Sequence, residues 1–318
     1  MDEVEKKLFD AMVNIDHGDA TFGIAKLFSI DPNSVIDLAK SMNPFAEDIK
    51  TVVAKHLDDL KSYPNADYAT GCLAETIGVS KNKVLITNGA SEAIALVANA
   101  FPIGNFFEPE FSLYKMHLNK IDPKVGKLWR SNPNNPTGVL AEDYQTADVW
   151  DEAYYQLSTG MWTRKENGEN SIVLGSLTKL YNCPGLRIGY IYCNNEDTIN
   201  LLKRSIPKWS VNALGLAVIP ELLSNTDLIK WNLWISELRG LLVDKLSELG
   251  YKTSNSDAPY VLVYNASNLL VPLGKRGIFI RSCKSFGLEN DVRIAVPCES
   301  QIKSVLRSLE AVSSGVGK

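Results

Sequence analysis

The chain has 318 residues, 45% of them hydrophobic and 22% charged, with a net charge of −4. That length supports one large domain, or a large and a small one, each with its own core. The balance supplies no basic footprint for nucleic acid, and no apolar run reaches the roughly 18 to 20 residues of a membrane span. The opening, MDEVEKKLFDAMVNI, patterns as an amphipathic helix and not as a secretory signal, so a cytosolic protein is expected. From about Lys83 to Cys193, short apolar runs alternate with helical segments, which predicts an α/β domain with a mainly parallel, doubly wound sheet. Strands are expected at 84–87, 125–129, 146–150, 172–174 and 188–193, the first leading through an Asn88-Gly89 turn into a helix. After Pro207 the pattern turns helical over 211–223 and 228–249, where Gly240 argues against one straight helix. Strands at 260–264, 277–282 and 292–296 and a closing helix at 299–312 then suggest a small α/β domain. The expected division is a large domain over residues 41–230 and a smaller one from 1–40 and 231–318.

Five cysteines, Cys72, Cys183, Cys193, Cys283 and Cys298, are odd in number and scattered, with no C-x-x-C pair. Free thiols in a reducing compartment fit that spacing. His17, His56 and His117 are too far apart in sequence to mark a metal site, and none is expected. No G-x-G-x-x-G follows an early strand, which argues against a dinucleotide dehydrogenase.

In open α/β sheets, ligands bind at the carboxyl ends of strands, so polar residues there carry the functional reading. Gly89-Ala90-Ser91 opens a helix and offers backbone N–H groups and a hydroxyl to a phosphate; read alone, it is more often a plain cap. The segment NPNNPTG, Asn132 to Gly138, is a polar turn stiffened by two prolines. In VWDEAYYQL, Asp151 ends an apolar strand, where a carboxylate needs a cationic partner to stay charged or else serves as an N-cap. SLTKLYNCPGLRIGY puts Lys179 just after a core strand, with Ser176 before it and Arg187 beyond.

In this order, NNPTG, DEAY, SLTK and GLRIGY resemble the fold type I pyridoxal-phosphate enzymes, the aminotransferase class I/II family, over most of the chain. The resemblance implies a large cofactor-binding domain of the aspartate-aminotransferase type plus a smaller α/β domain. It implies that Lys179 condenses with the aldehyde of pyridoxal 5′-phosphate, which requires a deprotonated amine. Asp151 would pair with the ring nitrogen, Asn135 and Tyr154 would bond the ring's 3-oxygen, and Phe111 would stack on the ring unless it is simply core. Ala90, Ser91, Ser176 and Arg187 would hold the phosphate, the arginine through its planar fork. Tyr63 matches a tyrosine that reaches the cofactor phosphate of a neighbouring subunit, which implies a homodimer with shared active sites. Arg293, in DVRIAV, matches the arginine for the substrate α-carboxylate, also in contact with Asn135; a lone strand arginine is otherwise a surface residue.

Segments at the start, at PKWSVNALGLAV and at GIFIRSCKSFGL look most like the threonine-phosphate decarboxylases of cobalamin synthesis, with the histidinol-phosphate aminotransferases next. In both, an arginine matching Arg281 helps hold a substrate phosphate. Arg281 and Arg293, twelve apart on strands expected to be neighbours, suit a substrate with two anionic ends. Asp19 stands where that branch has glycine and Ser41 where it has asparagine, and the stretches 101–132 and 138–151 are shorter than the family's. The expected activity is decarboxylation or transamination of a phosphorylated amino acid or amine, with a non-catalytic cofactor-sensing domain as a distant alternative.

Overall fold

The computed structural model describes residues 3–14, 21–164 and 168–314. Within them the chain forms two compact units: the first comprises Met1–Pro44, Asn135–Val139 and Leu233–Lys318, the second Phe45–Asn134 and Leu140–Asn232. The strands in chain order are β1 (Ile36–Asp37), β2 (Val84–Thr87), β3 (Ile103–Asn105), β4 (Lys120–Ile121), β5 (Lys127–Ser131), β6 (Val149–Asp151), β7 (Ile172–Gly175) and β8 (Gly189–Cys193). They are followed by β9 (Tyr260–Val263), β10 (Ile278–Phe279), β11 (Arg281–Ser282) and β12 (Val292–Ala295).

The second unit carries a seven-stranded sheet in the order β2-β8-β7-β6-β5-β3-β4. β4, β3, β5, β6 and β7 run parallel, and β8 is antiparallel to both of its neighbours. β2, β6, β7 and β8 are buried along their whole length, so they read as unbroken apolar runs rather than alternating ones. The helix Gly89–Ala100 packs Ala93, Ile94 and Val97 against Trp129, Val149, Ile172 and Ile191 of the sheet. Each large aliphatic side chain buried this way contributes about 1.5–3 kcal/mol, which fixes the sheet as a rigid floor. Register sets Ser131 opposite Asp151 and Asp151 opposite Leu174, so the carboxyl ends of β5, β6 and β7 lie side by side.

Two strands sit further along the chain than the apolar pattern predicts: 127–131 where 125–129 is expected, and 149–151 where 146–150 is expected. Val125 is 71% exposed, whereas Ser131 and Asp151 are buried inside their strands. Polar residues at the strand's end interrupt the hydrophobic pattern before the strand itself stops.

In the first unit, β9, β11 and β12 form an antiparallel sheet with β12 in the middle, and β1 pairs in parallel with β10. The expected single strand over 277–282 is therefore two: β10 bonds to β1, and after Ile280 β11 bonds to β12. Leu38, Leu242, Leu246, Val261, Val292 and Ile294 share the core with Val305 and Leu309 of the closing helix Glu299–Ser313. Leu228–Glu248 is one continuous helix despite Gly240. Among the described residues no helix is long and apolar enough to cross a membrane, and no cluster of His, Cys, Asp and Glu could hold a metal.

Candidate active site

The second unit carries the residues expected around a cofactor except Asn135, which belongs to the first. Asp151 ends β6 with 5% exposure; its Oδ2 accepts a hydrogen bond from the Tyr114 phenol at 2.9 Å and its Oδ1 one from the Ala153 N–H at 3.1 Å. The carboxylate thus caps the turn that follows as well as facing a buried phenol. Burial pushes the Asp151 carboxyl up, against the Tyr114 bond, the Ala153 N–H and the charge of Lys179. The upward balance means that the protein alone under-compensates this charge, and a protonated ring nitrogen would supply what is missing.

Lys179 lies half-buried in the short helix Leu177–Leu180, its Nζ 5.9 Å from the centre of the Tyr154 ring. Ser176 caps that helix, accepting the Lys179 N–H on its Oγ. The loop that follows is pinned at its base by Thr178. Its N–H and hydroxyl both donate to the Ile188 carbonyl, at 2.9 and 3.1 Å, and its Oγ accepts the Ile188 N–H. This closure brings Arg187 back beside the strand that Lys179 follows. Arg187 adopts φ 53°, a left-handed conformation uncommon outside glycine, and donates from Nη2 to Ser91 Oγ at 2.9 Å. Gly89, at φ 77°, leaves room for it: a Cβ there would lie 2.5 Å from Arg187 Nη2. A guanidinium, a hydroxyl and the opening turn of the helix Gly89–Ala100, Ala90 included, therefore converge as an anion cradle. Amine, buried carboxylate and cradle fit a phosphorylated pyridine aldehyde.

Phe111 meets Tyr114 edge-on at 5.9 Å and borders the core of this unit. Tyr63 is 78% exposed and rests on Trp209 at 4.7 Å, not on any cradle residue. Sequence reading missed two members of the group, Tyr114 and its neighbour Glu110. Glu110 is 5% exposed, and burial pushes its carboxyl up to about 8. Both sit in EPEFSLY beside Phe111; the signal available was a lone acid wedged between proline and phenylalanine.

The first unit gathers the substrate candidates. Arg281 and Arg293 are direct cross-strand partners, 8% and 7% exposed. Arg293 donates from Nη1 to Asn135 Oδ1 at 2.6 Å and from Nη2 to the Ala39 carbonyl at 3.2 Å, while its buried Nε has no hydrogen-bond partner among the described residues. Arg281 donates from Nη2 to Ser285 Oγ at 3.0 Å. Asn135 opens the five-residue segment Asn135–Val139 that packs with this unit, through bonds such as Ser254 Oγ to the Thr137 carbonyl at 2.6 Å. Ser41 is fully buried, its hydroxyl without a hydrogen-bond partner among the described residues; Asp19 lies outside them.

The sequence model of the family described as Aminotransferase class I and II matches residues 108–309. The chain belongs to that family. Its cofactor is pyridoxal 5′-phosphate, and it is an enzyme. Among aminotransferase-family relatives, threonine-phosphate decarboxylase of Salmonella typhimurium is 26% identical over 96% of this chain and 99% of its own. Histidinol-phosphate aminotransferase of Clostridium novyi is 25% identical over 86% and 90%. An adenosylcobalamin biosynthesis bifunctional protein of Leptospira interrogans is 26% identical, and this chain spans 41% of its length. The histidinol-phosphate aminotransferase of Sinorhizobium meliloti, solved in complex with pyridoxal-5′-phosphate, superposes with a TM-score of 0.81 at 15% identity, covering 96% of each chain.

Proposed function

We propose that this enzyme acts on an amino acid or amine carrying a phosphate, and that its reaction is the decarboxylation of L-threonine O-3-phosphate. The observation that carries this reading is the cross-strand pair of buried guanidiniums, Arg281 and Arg293. A buried arginine whose Nε lacks a partner costs free energy until an acceptor arrives. Two buried guanidiniums on adjacent strands suit a ligand with two anionic groups, a carboxylate and a phosphate. Arg293, steadied by Asn135 and the Ala39 carbonyl, takes the carboxylate; Arg281 takes the phosphate.

Bound pyridoxal phosphate supplies an electron sink that weakens the bonds at the carbon bearing the substrate's amine. The residues of the chain direct that chemistry. Asp151 holds a proton at the ring nitrogen, and Tyr114 and the Ala153 N–H keep its carboxylate oriented. Lys179 would supply the amine that anchors the cofactor and a base able to move a proton at the reacting carbon. Ser91, Ser176, Arg187 and the Ala90 N–H would hold the phosphate, Phe111 would cover the ring, and Asn135 and Tyr154 would bond its 3-oxygen. Tyr63, exposed on Trp209, belongs to the phosphate site of a second subunit in a homodimer.

Incubation with L-threonine phosphate should release carbon dioxide and aminopropanol phosphate. Amino transfer to 2-oxoglutarate without carbon dioxide overturns decarboxylation and favours a histidinol-phosphate type of transamination, the second reading that the relatives support. Lys179→Ala should abolish the cofactor's yellow colour together with activity; persistence of both removes Lys179 from its role.

A further inference from the structure

We propose that Trp209 is a positioning residue for Tyr63: its exposed indole is the platform that holds the Tyr63 ring ready for the cofactor phosphate of a second subunit. The proposal rests on the reading that Tyr63 serves that phosphate in a homodimer.

Tyr63 lies between two anchored elements. The short helical turn Leu57–Lys61 precedes it, closed by the Ser62 N–H on the Asp59 carbonyl at 3.2 Å, and the helix Asp67–Ile77 follows. Pro64 restricts the Tyr63 backbone to extended conformations, so what remains free is the direction of the side chain. The Tyr63 ring lies 4.7 Å from that of Trp209, tilted by 32°, a spacing at which aromatic rings attract. Trp209 is itself 58% exposed. Two large aromatic side chains paired in solvent add little to a core, which points to a task at the surface.

The platform is fastened to the anion cradle of its own chain. Ser210 donates from Oγ to Glu92 Oε2 at 3.3 Å, and the same oxygen accepts the Asn88 N–H at 2.6 Å where the helix Gly89–Ala100 opens. Asn212 caps the helix Ala213–Ser224 by accepting the Gly215 N–H at 2.7 Å. It also donates from Nδ2 to the Leu186 carbonyl at 2.7 Å, one residue before Arg187. The loop that carries Trp209 is therefore tied to both halves of the cradle, the helix start and the Arg187 loop. Trp209 adopts φ 60°, a left-handed conformation that is strained for a bulky side chain and that glycine would adopt freely. Burial does not account for a tryptophan there, whereas its contact with Tyr63 does. A phenol held in one direction loses less side-chain entropy on meeting an anion than one that turns freely, and its bond to phosphate is charge-assisted.

Titration of the apoprotein with pyridoxal 5′-phosphate, followed by the cofactor's absorbance, tests the platform without relying on turnover. Tyr63→Phe keeps a ring on Trp209 and removes only the hydroxyl; it should weaken binding about tenfold. Trp209→Ala should weaken binding about fivefold, and Trp209→Phe, which restores an aromatic face, should stay within about twofold of wild type. In the Tyr63→Phe background, Trp209→Ala should add less than about twofold, because a ring without its hydroxyl has nothing to aim. A tryptophan that acts only on the fold would add its full loss there, and that result overturns the proposal. So does unaltered affinity in Trp209→Ala beside a weakened Tyr63→Phe. If Trp209→Ala does not fold, Trp209→Leu, bulky but without an aromatic face, takes its place in the same cycle. Sedimentation at the titration concentration should show every variant dimeric; a monomeric Trp209→Ala means that the indole joins the subunits rather than aims Tyr63, and rejects the proposal. Unaltered binding in Tyr63→Phe, or a monomeric wild type, rejects instead the reading of Tyr63 on which the platform rests.

Discussion

Gly89 shows how narrowly single residues are constrained at this site. Its φ of 77° is left-handed, where any side chain costs about 1–2 kcal/mol, and a Cβ would intrude on Arg187 Nη2 at 2.5 Å. Arg187 cannot retreat freely, because its own backbone is left-handed and Thr178 clamps the loop beneath it. We expect Gly89→Ala to keep the fold but to weaken pyridoxal phosphate binding by about tenfold or more, since the shifted guanidinium loses Ser91 and the phosphate. Unaltered affinity in an equilibrium titration would remove Arg187 from the cradle. At this scale the sequence was legible wherever chemistry and spacing coincided. Lys179, Asp151, Ser176 and Arg187 stand in motifs whose residue types already suggest an amine, a counter-charge and an anion cradle. Tyr114 and Glu110 did not stand out, because a tyrosine one helical turn from Phe111 looks like core. Nothing local shows that β5 and β6 bring Ser131 and Asp151 to meet it.

At the scale of elements, Arg164 holds the loop after Gly138: its guanidinium donates to the carbonyls of Glu142 and Asp143 at 2.9 and 2.8 Å and more loosely to those of Ala141 and Gln145, while lying 4.8 Å over the Trp150 ring. One buried fork thus ties down a loop leading into β6, the strand that carries Asp151. Arg164→Ala should cost about 2–3 kcal/mol in urea unfolding, and Arg164→Lys should recover little, because an ammonium cannot bridge several carbonyls from one plane. No local pattern links residue 164 to 142, so this tie lay beyond sequence reading. Gly240 is the opposite case. Its presence argued against one helix over 228–249, yet Leu228–Glu248 is continuous, and a Cβ at Gly240 would meet nothing within 4 Å. Packing of Ile235, Leu238, Leu242 and Leu246, all buried, overrides one weak residue. Gly240→Ala should therefore raise stability by about 0.5–1 kcal/mol, read as a higher urea midpoint with an unchanged slope. A lower midpoint would show that the glycine has a packing role.

Across the whole molecule, the buried acids cluster. Among the described residues Glu110, Asp151 and Glu152 all belong to the second unit, which also buries Arg164, while the first unit buries Arg281 and Arg293. The buried acids have a thermodynamic signature. Burial pushes Glu110 up to about 8 and Glu152 up to about 7, against Ser131 in the first case and Thr163 and the Arg164 N–H in the second. Because these carboxyls hold protons in the folded state that they release when unfolded above the ordinary carboxylate range, the folded chain binds more protons between about pH 4.5 and 8. Stability supplied by the neutral acids is complete below that window and is lost as pH rises through 7 and 8. The apoprotein's second unit should accordingly unfold at lower urea as pH climbs from about 5 to about 9, with the first unit, which lacks buried acids among its described residues, changing far less. Glu152→Gln should flatten the slope on the lower side of the window and Glu110→Gln on the upper side. Hydrogen exchange resolved by unit can follow each separately, and a slope of opposite sign in the second unit would mean that its acids are ionised when folded.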